Sequence, residues 1–277
     1  MSRRALPLVG PVVVAATWTA CVDTPAPKQR MNSDWELVWS DEFEEPAGTP
    51  LDESRWAFDV GGAGWGNDQL EHNTDRTDNV FHDGDGHLVI RGQIEDYEGN
   101  AYTSGRIKTQ DRFDFQYGRV VASIKLPKGS GVWPAFWLLG ADIDTVGWPS
   151  CGEIDIMELR GEEPWKVAGT VHGPGYSGGD SVGAPYELSE GDFSDGYHVF
   201  AVEVDPEHIT WTVDGNVFQT VRPGDLPANT PWVFDNAFFI LLNVAIGGNY
   251  VGPVDDSALP AEMLVEYVRV YQRTEPL

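Results

Sequence analysis

The stretch ITWTVDGNVFQTV, residues 209–221, indicates how this chain folds. It consists of two runs in which apolar and polar residues alternate, separated by Asp214 and Gly215. Alternation with a period of two is typical of a β-strand with one buried face, because successive side chains point to opposite sides. The Asp-Gly pair favours a type I′ turn, in which both central residues need a positive φ. We therefore predict a β-hairpin here.

The same alternation recurs along the rest of the chain. In GRVVASIKLP (118–127) every second residue from Val120 to Leu126 is apolar. Four further stretches are predicted strands: HLVIRG (87–92), YHVFAVEV (197–204), FFILLNVAI (238–246) and MLVEYVRVYQ (263–272). No stretch shows a long apolar repeat of about 3.6 residues, the pattern of an amphipathic helix. The predicted fold class is therefore all-β, with two packed sheets as the expected arrangement.

The charge of the chain restricts the kind of ligand. The 277 residues include 44 Asp and Glu against 18 Lys and Arg, a formal net charge of −26. Such a field repels nucleic acids, anionic membranes and polyanionic substrates, although the same acidity also serves solubility. We therefore expect a neutral ligand and no nucleic-acid partner. Separately, we expect a monomer.

The N-terminus has the features of an export signal. Two arginines precede ALPLVGPVVVAATWTAC (5–21), an apolar run too short and too interrupted by proline to span a bilayer stably. We predict a signal peptide over residues 1–21 and an exported protein, either secreted or attached to the cell envelope by a lipid on Cys21. Residues 22–33 are polar, contain proline and form a predicted linker, and residues 34–273 form a single predicted domain.

Three carboxylates are concentrated in CGEIDIMELRG (151–161): Glu153, Asp155 and Glu158. On a regular strand Glu153 and Asp155 share one face, and Glu158 points to the other. Three interpretations are open, namely a solvated acidic face, a divalent-metal site, or the acid pair of a glycosidase. The apolar residues between the acids indicate a buried face, which leaves the acids on an open one. The six histidines include no HExxH motif, which makes a metal site less favoured.

A β-bulge would bring the third carboxylate back to the open face. If Met157 is an extra residue in the strand, Glu158 returns to the face of Glu153. Glycosidases need two carboxylates flanking the scissile bond, about 5–5.5 Å apart in retaining enzymes and about 6.5–9.5 Å apart in inverting ones. Two glutamate side chains that lean toward each other fit the shorter distance. The spacing therefore favours a retaining glycosidase.

The motifs around these acids recur in one family. GEIDIME, with the preceding WPSC, resembles glycoside hydrolase family 16, and within it the laminarinase-like endo-β-1,3-glucanases with a bulged E-x-D-x-x-E motif. Five other stretches resemble that family in the same order: VWSDEF (38–43), WGNDQLEHNT (65–74), GRIKTQDRFDFQYGRV (105–120), KGSGVWPAFWLLG (128–140) and MLVEYVRVYQ (263–272). The resemblance covers residues 34–273, which would be the catalytic domain. It implies a concanavalin-like β-sandwich, or jelly roll, of two antiparallel sheets with a concave substrate cleft.

The resemblance also implies roles for individual residues. Glu153 would be the nucleophile, Asp155 the residue that hydrogen-bonds and tunes it, and Glu158 the general acid/base. Six residues would contact the substrate: Asn67, Arg106, Trp133, Trp137, Trp148 and His172. The implied activity is endo-acting, retaining hydrolysis of β-1,3-glucosidic bonds in laminarin-type glucans, with no cofactor for catalysis.

Other properties of the resembled family leave alternatives open. One is another polysaccharide hydrolase, such as an agarase or a mixed-linkage glucanase, and another is a non-catalytic β-glucan-binding protein. Many members bind a structural calcium on the convex side, which would here involve Glu42, Gly86 and Glu266. Glu266 departs from the usual Asp. Tyr250 stands where members often carry Trp, which would alter one sugar subsite.

Overall fold

The computed structural model describes residue 1 and residues 34–275. The predicted signal peptide (1–21) beyond its first residue, the predicted linker (22–33) and Cys21 lie outside the described residues. In the described part the regular elements are mainly β-strands, and the α-helix α1 (Ile143–Val146) has four residues. No helix within this part is both long enough and apolar enough to cross a membrane. The predicted all-β class is confirmed.

The strands follow one another closely along the described chain. In chain order they are β1 (Trp35–Asp41), β2 (Ala57–Phe58), β3 (Glu71–Asn73), β4 (Val80–His82), β5 (Leu88–Tyr97), β6 (Asn100–Ser104), β7 (Arg106–Lys108), β8 (Gly118–Lys125), β9 (Val132–Gly140), β10 (Glu153–Leu159), β11 (Lys166–His172), β12 (Val182–Glu187), β13 (His198–Asp205), β14 (His208–Val213), β15 (Asn216–Val221), β16 (Phe238–Ile246) and β17 (Ala261–Arg273). Short 3-10 helices occupy Gly178–Asp180, Pro223–Asp225 and Asp256–Ala258.

These strands form two sheets. The cleft sheet has seven strands in the order β12-β11-β10-β9-β16-β7-β2. The outer sheet has ten, with β15-β14-β13-β8-β17-β5-β6-β3 in a row, while β1 pairs with β17 and β4 with β5. Neighbouring strands are antiparallel except β3 and β6, which are parallel. The expected pair of antiparallel sheets is therefore confirmed, with this one parallel pairing as the difference.

The predicted hairpin is present in the outer sheet. Strands β14 and β15 pair antiparallel, and Val213 lies opposite Asn216. The two residues between them, Asp214 and Gly215, have φ angles of 50° and 77°. Two positive φ angles in a two-residue loop define the type I′ turn that the right-handed twist of the strands favours. The hairpin prediction is thus confirmed down to its turn type.

The hydrophobic core lies between the two sheets and takes alternate residues from each strand. On β8 the apolar residues Val120, Ala122 and Ile124 are fully buried, as the alternation predicts. On β9 of the cleft sheet, Phe136 and Leu138 are fully buried in the same core. Burying one such large side chain contributes about 1.5–3 kcal/mol. The intervening residues of β9 therefore point to the opposite, open face of the cleft sheet, which carries the candidate site.

Candidate active site

Strand β10 carries a β-bulge. Against β11, Asp155 lies opposite Thr170 and Glu158 lies opposite Ala168, so three steps along β10 match two steps along β11. The register against β9 shifts in the same segment, between Asp155 and Met157. Both Ile156 and Met157 point into the core and are almost fully buried. The bulge therefore returns Glu158 to the open face that carries Glu153 and Asp155, as predicted.

The opposite sheet holds this bulge in place. A bulge interrupts the ladder of backbone hydrogen bonds, and the groups it leaves need other partners. The indole N–H of Trp211, a fully buried residue of β14, donates to the backbone carbonyl oxygen of Asp155 at 2.8 Å. Gly169 on β11 makes room for this ring, because a Cβ there would lie 2.6 Å from Trp211 Cδ1. A core tryptophan thus fixes the backbone between the two predicted catalytic glutamates.

Each predicted catalytic glutamate has its own tryptophan donor. The indole N–H of Trp148 donates to Glu153 Oε2 at 2.8 Å, and the indole N–H of Trp133 donates to Glu158 Oε1 at 3.0 Å. Trp148 is half exposed, whereas Trp133 is mostly buried. Tyr250 packs against Trp133 with ring centroids 4.9 Å apart. Trp133 and Trp148, which were expected to contact sugar rings, therefore also orient the carboxylates.

Asp155 is nearly buried and is held by two donors from β11. The hydroxyl of Thr170 donates to Asp155 Oδ2, and His172 Nε2 lies 2.9 Å from the same oxygen. His172 Nε2 is also 3.8 Å from Glu153 Oε1. The structure therefore places the predicted cleft residue His172 among the acids, with Asp155 as its nearest partner.

The proton of His172 has a defined position. Nδ1 accepts a hydrogen bond from the backbone N–H of Gly178 at 3.0 Å, so the proton that faces Asp155 sits on Nε2. Although burial lowers the pKa of His172, the hydrogen bond to Asp155 and the surrounding carboxylates raise it to about 9. The Gly178 N–H opposes a second proton, because a protonated Nδ1 has no lone pair to accept with. In either state Nε2 donates to Asp155.

The two glutamates are suited to share a proton. Burial raises the pKa of Glu153, and the nearby carboxylate of Asp155 raises it further. The same two causes raise the pKa of Glu158 well above its ordinary value, with Glu153 adding to the effect. Because the charge on one of these carboxylates raises the pKa of its neighbours, the two glutamates titrate as a coupled set. A carboxylic acid and a carboxylate on one open face are the chemical equipment of a glycosidase.

Arg106 lies on β7, on the other side of β9 and β16 from these acids. Its Nε is 2.9 Å from Asp59 Oδ2, and its guanidinium lies 4.8 Å from the ring centres of both Trp65 and Trp137. Asp59 also binds Lys108 at 2.6 Å, so one carboxylate holds two cations. Arg106 and Trp137, both expected to bind substrate, are therefore in direct contact.

Asn67 lies in an exposed loop beyond this pair. Its backbone carbonyl accepts from the N–H of Asn249 at 2.8 Å, which joins the loop to the segment after β16. On β16, Asn243 accepts a hydrogen bond from the indole N–H of Trp137 at 2.9 Å. The structure thus brings Arg106 and Trp137 together and places Asn67 in a neighbouring loop that contacts the segment leading to Tyr250.

Comparison with known proteins agrees with this geometry. The family model described as "Glycosyl hydrolases family 16" matches residues 66–243. The chain belongs to glycosyl hydrolase family 16. The beta-glucanase of Rhodothermus marinus is 41% identical over 256 residues, which span 87% of this chain and 86% of that protein.

Solved family 16 structures show the same fold. The endo-beta-1,3-glucanase from Pyrococcus furiosus superposes with a TM-score of 0.82 at 43% identity, covering 87% of this chain and 96% of that one. The laminarinase from Rhodothermus marinus has a TM-score of 0.81 at 39% identity, covering 87% of this chain and 98% of that one. The β-sandwich expected from the resemblance is thereby confirmed.

The three residues predicted to bind calcium lie outside the cluster of acids on β10. The carboxylate of Glu42 forms a two-pronged ion pair with Arg269, at 3.0 and 2.6 Å. Glu266, on β17 of the outer sheet, accepts a hydrogen bond from Ser123. Gly86 lies in the turn before β5, with a φ of 91°. Because Arg269 occupies both carboxylate oxygens of Glu42, only the backbone carbonyl oxygen of Glu42 is left for a metal. Carbonyl and carboxylate oxygens are the ligands that calcium prefers.

One acidic cluster among the described residues has a geometry that could hold a metal. Glu153, Asp155 and His172 each offer a ligand atom, and these atoms lie within 4.8 Å of one another. However, His172 Nε2 carries the proton that it donates to Asp155, so it has no lone pair to offer. The cluster is therefore arranged to share protons.

Several contacts of the family 16 site escaped the sequence analysis. Thr170 contacts Asp155, Asp59 holds Arg106, and Asn243 accepts from Trp137. Thr170 could have been found, because it lies two residues before His172 and must share its face of the strand. Asp59 and Asn243 could not, since neither belongs to a motif and both act through long-range contacts.

Proposed function

We propose that this chain is an endo-acting, retaining glucanase that hydrolyses β-1,3-glucosidic bonds in laminarin-type glucans. One observation carries the proposal: a bulge places Glu153, Asp155 and Glu158 on one open face, each with a different hydrogen-bond partner. A non-catalytic glucan-binding protein would need no such proton-sharing set. The relatives named as glucanases and laminarinases support the same assignment.

The proposed reaction has two steps. In the first, the Glu153 carboxylate attacks the anomeric carbon while Glu158 donates its proton to the departing glycosidic oxygen. In the second, Glu158 takes a proton from water, which attacks the glycosyl-enzyme ester and restores Glu153. The Trp148 N–H stabilises the Glu153 carboxylate before attack, and His172 holds Asp155 in place beside the nucleophile. Both inversions together retain the β configuration.

The net charge of −26 supports a neutral glucan over a sulfated polysaccharide. Release of reducing ends should be measured on laminarin, curdlan, lichenan, agarose and carrageenan. We expect rapid internal cleavage of laminarin, with mixed-linkage glucan accepted less well. The anomer first released, followed by NMR, should be β. Cleavage of agarose without laminarin, or laminarin binding with no cleavage, would assign the alternative functions.

We further propose that residues 1–21 direct export and that Cys21 can receive a lipid. The two arginines and the short apolar run of this segment support the proposal. Mass spectrometry of the protein from its native host should find either a chain that starts after residue 20 with a diacylglycerol on Cys21, or an unmodified secreted chain. Cys21→Ala should abolish any lipid incorporation, whereas Cys151→Ala, which alters a buried thiol, should not.

We also propose a structural calcium at the backbone carbonyls of Glu42 and Gly86 and the carboxylate of Glu266. An ion that binds only the native state would raise its stability without entering the chemistry. A chelator should therefore lower the Tm and leave the activity per folded molecule unchanged at low temperature. An unchanged melting curve, together with no metal on elemental analysis, would contradict the proposed calcium site. Size-exclusion chromatography of the same samples should give the mass of a monomer.

A further inference from the structure

A groove lies on the open face of the cleft sheet, on the opposite side of β10 from Arg106. It is open, has a volume of about 310 Å³, and is lined by β11, β12 and the loops beside them. The lining residues that matter here are Arg160, Lys166, Thr170 and Tyr250. A hexose unit fits a space of this size, so the groove can hold part of a glucan chain.

Direct contacts join this groove to the catalytic acids. Thr170, in its floor, donates to Asp155. Tyr250, in its wall, packs on Trp133, whose indole N–H in turn donates to Glu158 at 3.0 Å. Glu153, by contrast, is bound by Trp148. The groove therefore adjoins the general acid, whose proton goes to the oxygen that departs with the leaving sugar.

Arg160 is an unpaired cation in this groove. Its guanidinium lies 4.6 Å from the centre of the Tyr250 ring. Within the described residues the ion pairs include Lys166 with Glu163 and Arg106 with Asp59, but none with Arg160. A cation–π contact orients the guanidinium and leaves N–H donors free for other acceptors.

The Tyr250 ring, which forms the platform under Arg160, is held rigidly. The loop that carries Tyr250 is fixed by two hydrogen bonds, from Asn249 N–H to the Asn67 carbonyl at 2.8 Å and from Gly252 N–H to Glu162 Oε1 at 2.7 Å. A preorganised platform binds a sugar with little loss of conformational entropy. Arginine N–H donors are also complementary to the hydroxyl groups of glucose.

We propose that Arg160 binds the glucosyl unit on the leaving-group side of the scissile bond, in the groove beside Tyr250, and that it sets how well a sugar competes with water as acceptor. The inference rests on the proposed function. In the transfer reaction the ester bond to Glu153 breaks, a bond forms between the anomeric carbon and a hydroxyl oxygen of the acceptor, and Glu158 takes the hydroxyl proton. Arg160 donates to neighbouring hydroxyls of that acceptor and holds it in place.

The test compares laminarin with 4-nitrophenyl β-laminaribioside, whose leaving group carries no sugar hydroxyls. Arg160→Ala should lower kcat/KM on laminarin by about tenfold, the loss expected for one or two charge-assisted hydrogen bonds. The ratio of laminarin to aryl-glycoside turnover should fall by a similar factor. The yield of transfer product with laminaribiose as acceptor should fall as well. Arg160→Lys should restore only part of each loss.

Arg119→Ala is the matched control, because Arg119 lies on β8 of the outer sheet. It should leave the ratio of the two substrates and the transfer yield unchanged. A Tm measurement shows whether each variant is folded. If folded Arg160→Ala keeps the wild-type ratio and transfer yield, the subsite is overturned and the proposed function stands. If the wild-type protein cleaves neither substrate, the proposed function fails and this inference falls with it.

Discussion

The indole N–H of Trp211 donates to the backbone carbonyl oxygen of Asp155 across the interface of the two sheets, at 2.8 Å. Trp211 belongs to the hairpin that indicates the fold, and Asp155 belongs to the bulge that assembles the candidate site. The hydrogen bond links the two features. It makes the position of Glu158 depend on a residue that the substrate does not reach, since Trp211 is fully buried.

Trp211→Phe should therefore impair catalysis as well as stability. The change leaves the Asp155 carbonyl without a buried donor, which costs about 1–3 kcal/mol of the free energy of unfolding. A shift of the bulge by about 1 Å would lower kcat on laminarin by up to about 10²-fold. The matched control is Trp56→Phe, which removes another buried indole, bonded to Asp41 at 2.9 Å. It should lose stability but keep its kcat at temperatures where it is folded.

Glu158→Ala should lower laminarin turnover by about 10²–10⁴, the usual contribution of a positioned acid/base. Activated aryl glycosides need little protonation, so their first step should suffer much less. Added azide should then intercept the glycosyl-enzyme and give a β-glycosyl azide, whereas Glu153→Ala should give the α-azide by direct attack. The exposed acid Glu207 provides a control, since Glu207→Ala should behave as wild type. A folded Glu158→Ala variant with near wild-type turnover would contradict the assignment.

The pH profile should respond differently to the two tryptophans. Both indole donors lower the pKa of the carboxylate that they bind, Trp148 that of Glu153 and Trp133 that of Glu158. Activity needs Glu153 ionised and Glu158 protonated, so Trp148→Phe should move the acidic limb of kcat/KM upward. Trp133→Phe should instead move the alkaline limb upward. Each shift should be about half to one pH unit, the equivalent of one hydrogen bond. If both limbs of the pH profile moved together in either variant, the acidic limb would not report Glu153 alone and the alkaline limb would not report Glu158 alone.

Stability should fall between pH 4.5 and 7 because of Glu71. This residue is fully buried, and desolvation raises its pKa from 4.5 to about 7. In that window the folded state binds more protons than the unfolded state, so the free energy of unfolding decreases as the pH rises. Glu71→Gln should remove the part of this decrease that is due to Glu71 and stabilise the protein at pH 7 by about 1–3 kcal/mol. Part of this gain comes from the new amide N–H group, which can donate to Asn73 Oδ1, a buried acceptor that lacks a donor in the structure.

Denaturation curves at pH 5 and pH 7 would check this prediction. The matched control is Glu95→Gln, because hydrogen bonds from Arg76 and Thr103 lower the pKa of Glu95 to about 2. That change should destabilise the protein at pH 7, opposite in direction to Glu71→Gln. Equal pH dependence of wild type and Glu71→Gln would show that Glu71 ionises normally in the folded state.

The sequence allowed the strands, the hairpin and the bulge to be predicted because each depends on neighbouring residues. Side-chain alternation puts Glu158 on the wrong face of a regular strand, and one extra residue at Met157 would return it to the face of Glu153. The turn at Asp214 and Gly215 is equally local. These features needed no knowledge of which strands lie side by side.

The contacts that adjust the site could not be predicted in this way. Trp211 meets Asp155 from the other sheet, and Gly178 reaches His172 through a loop. Asp59 holds Arg106 although 47 positions separate them. Each contact is set by the packing of the sheets, and no periodic pattern encodes it. The same limit applies to Arg160, whose lack of an acidic partner can be seen only in three dimensions.

The close packing of Trp211 against Gly169 limits which residues can occupy position 169. The side chain of any other amino acid there would begin 2.6 Å from a rigid, fully buried indole. In a saturation library at position 169, even alanine should therefore be depleted, although this glycine has no contact with substrate in the proposed mechanism. Second-site substitutions that rescue such variants should shrink residue 211, and they should restore folding more completely than turnover.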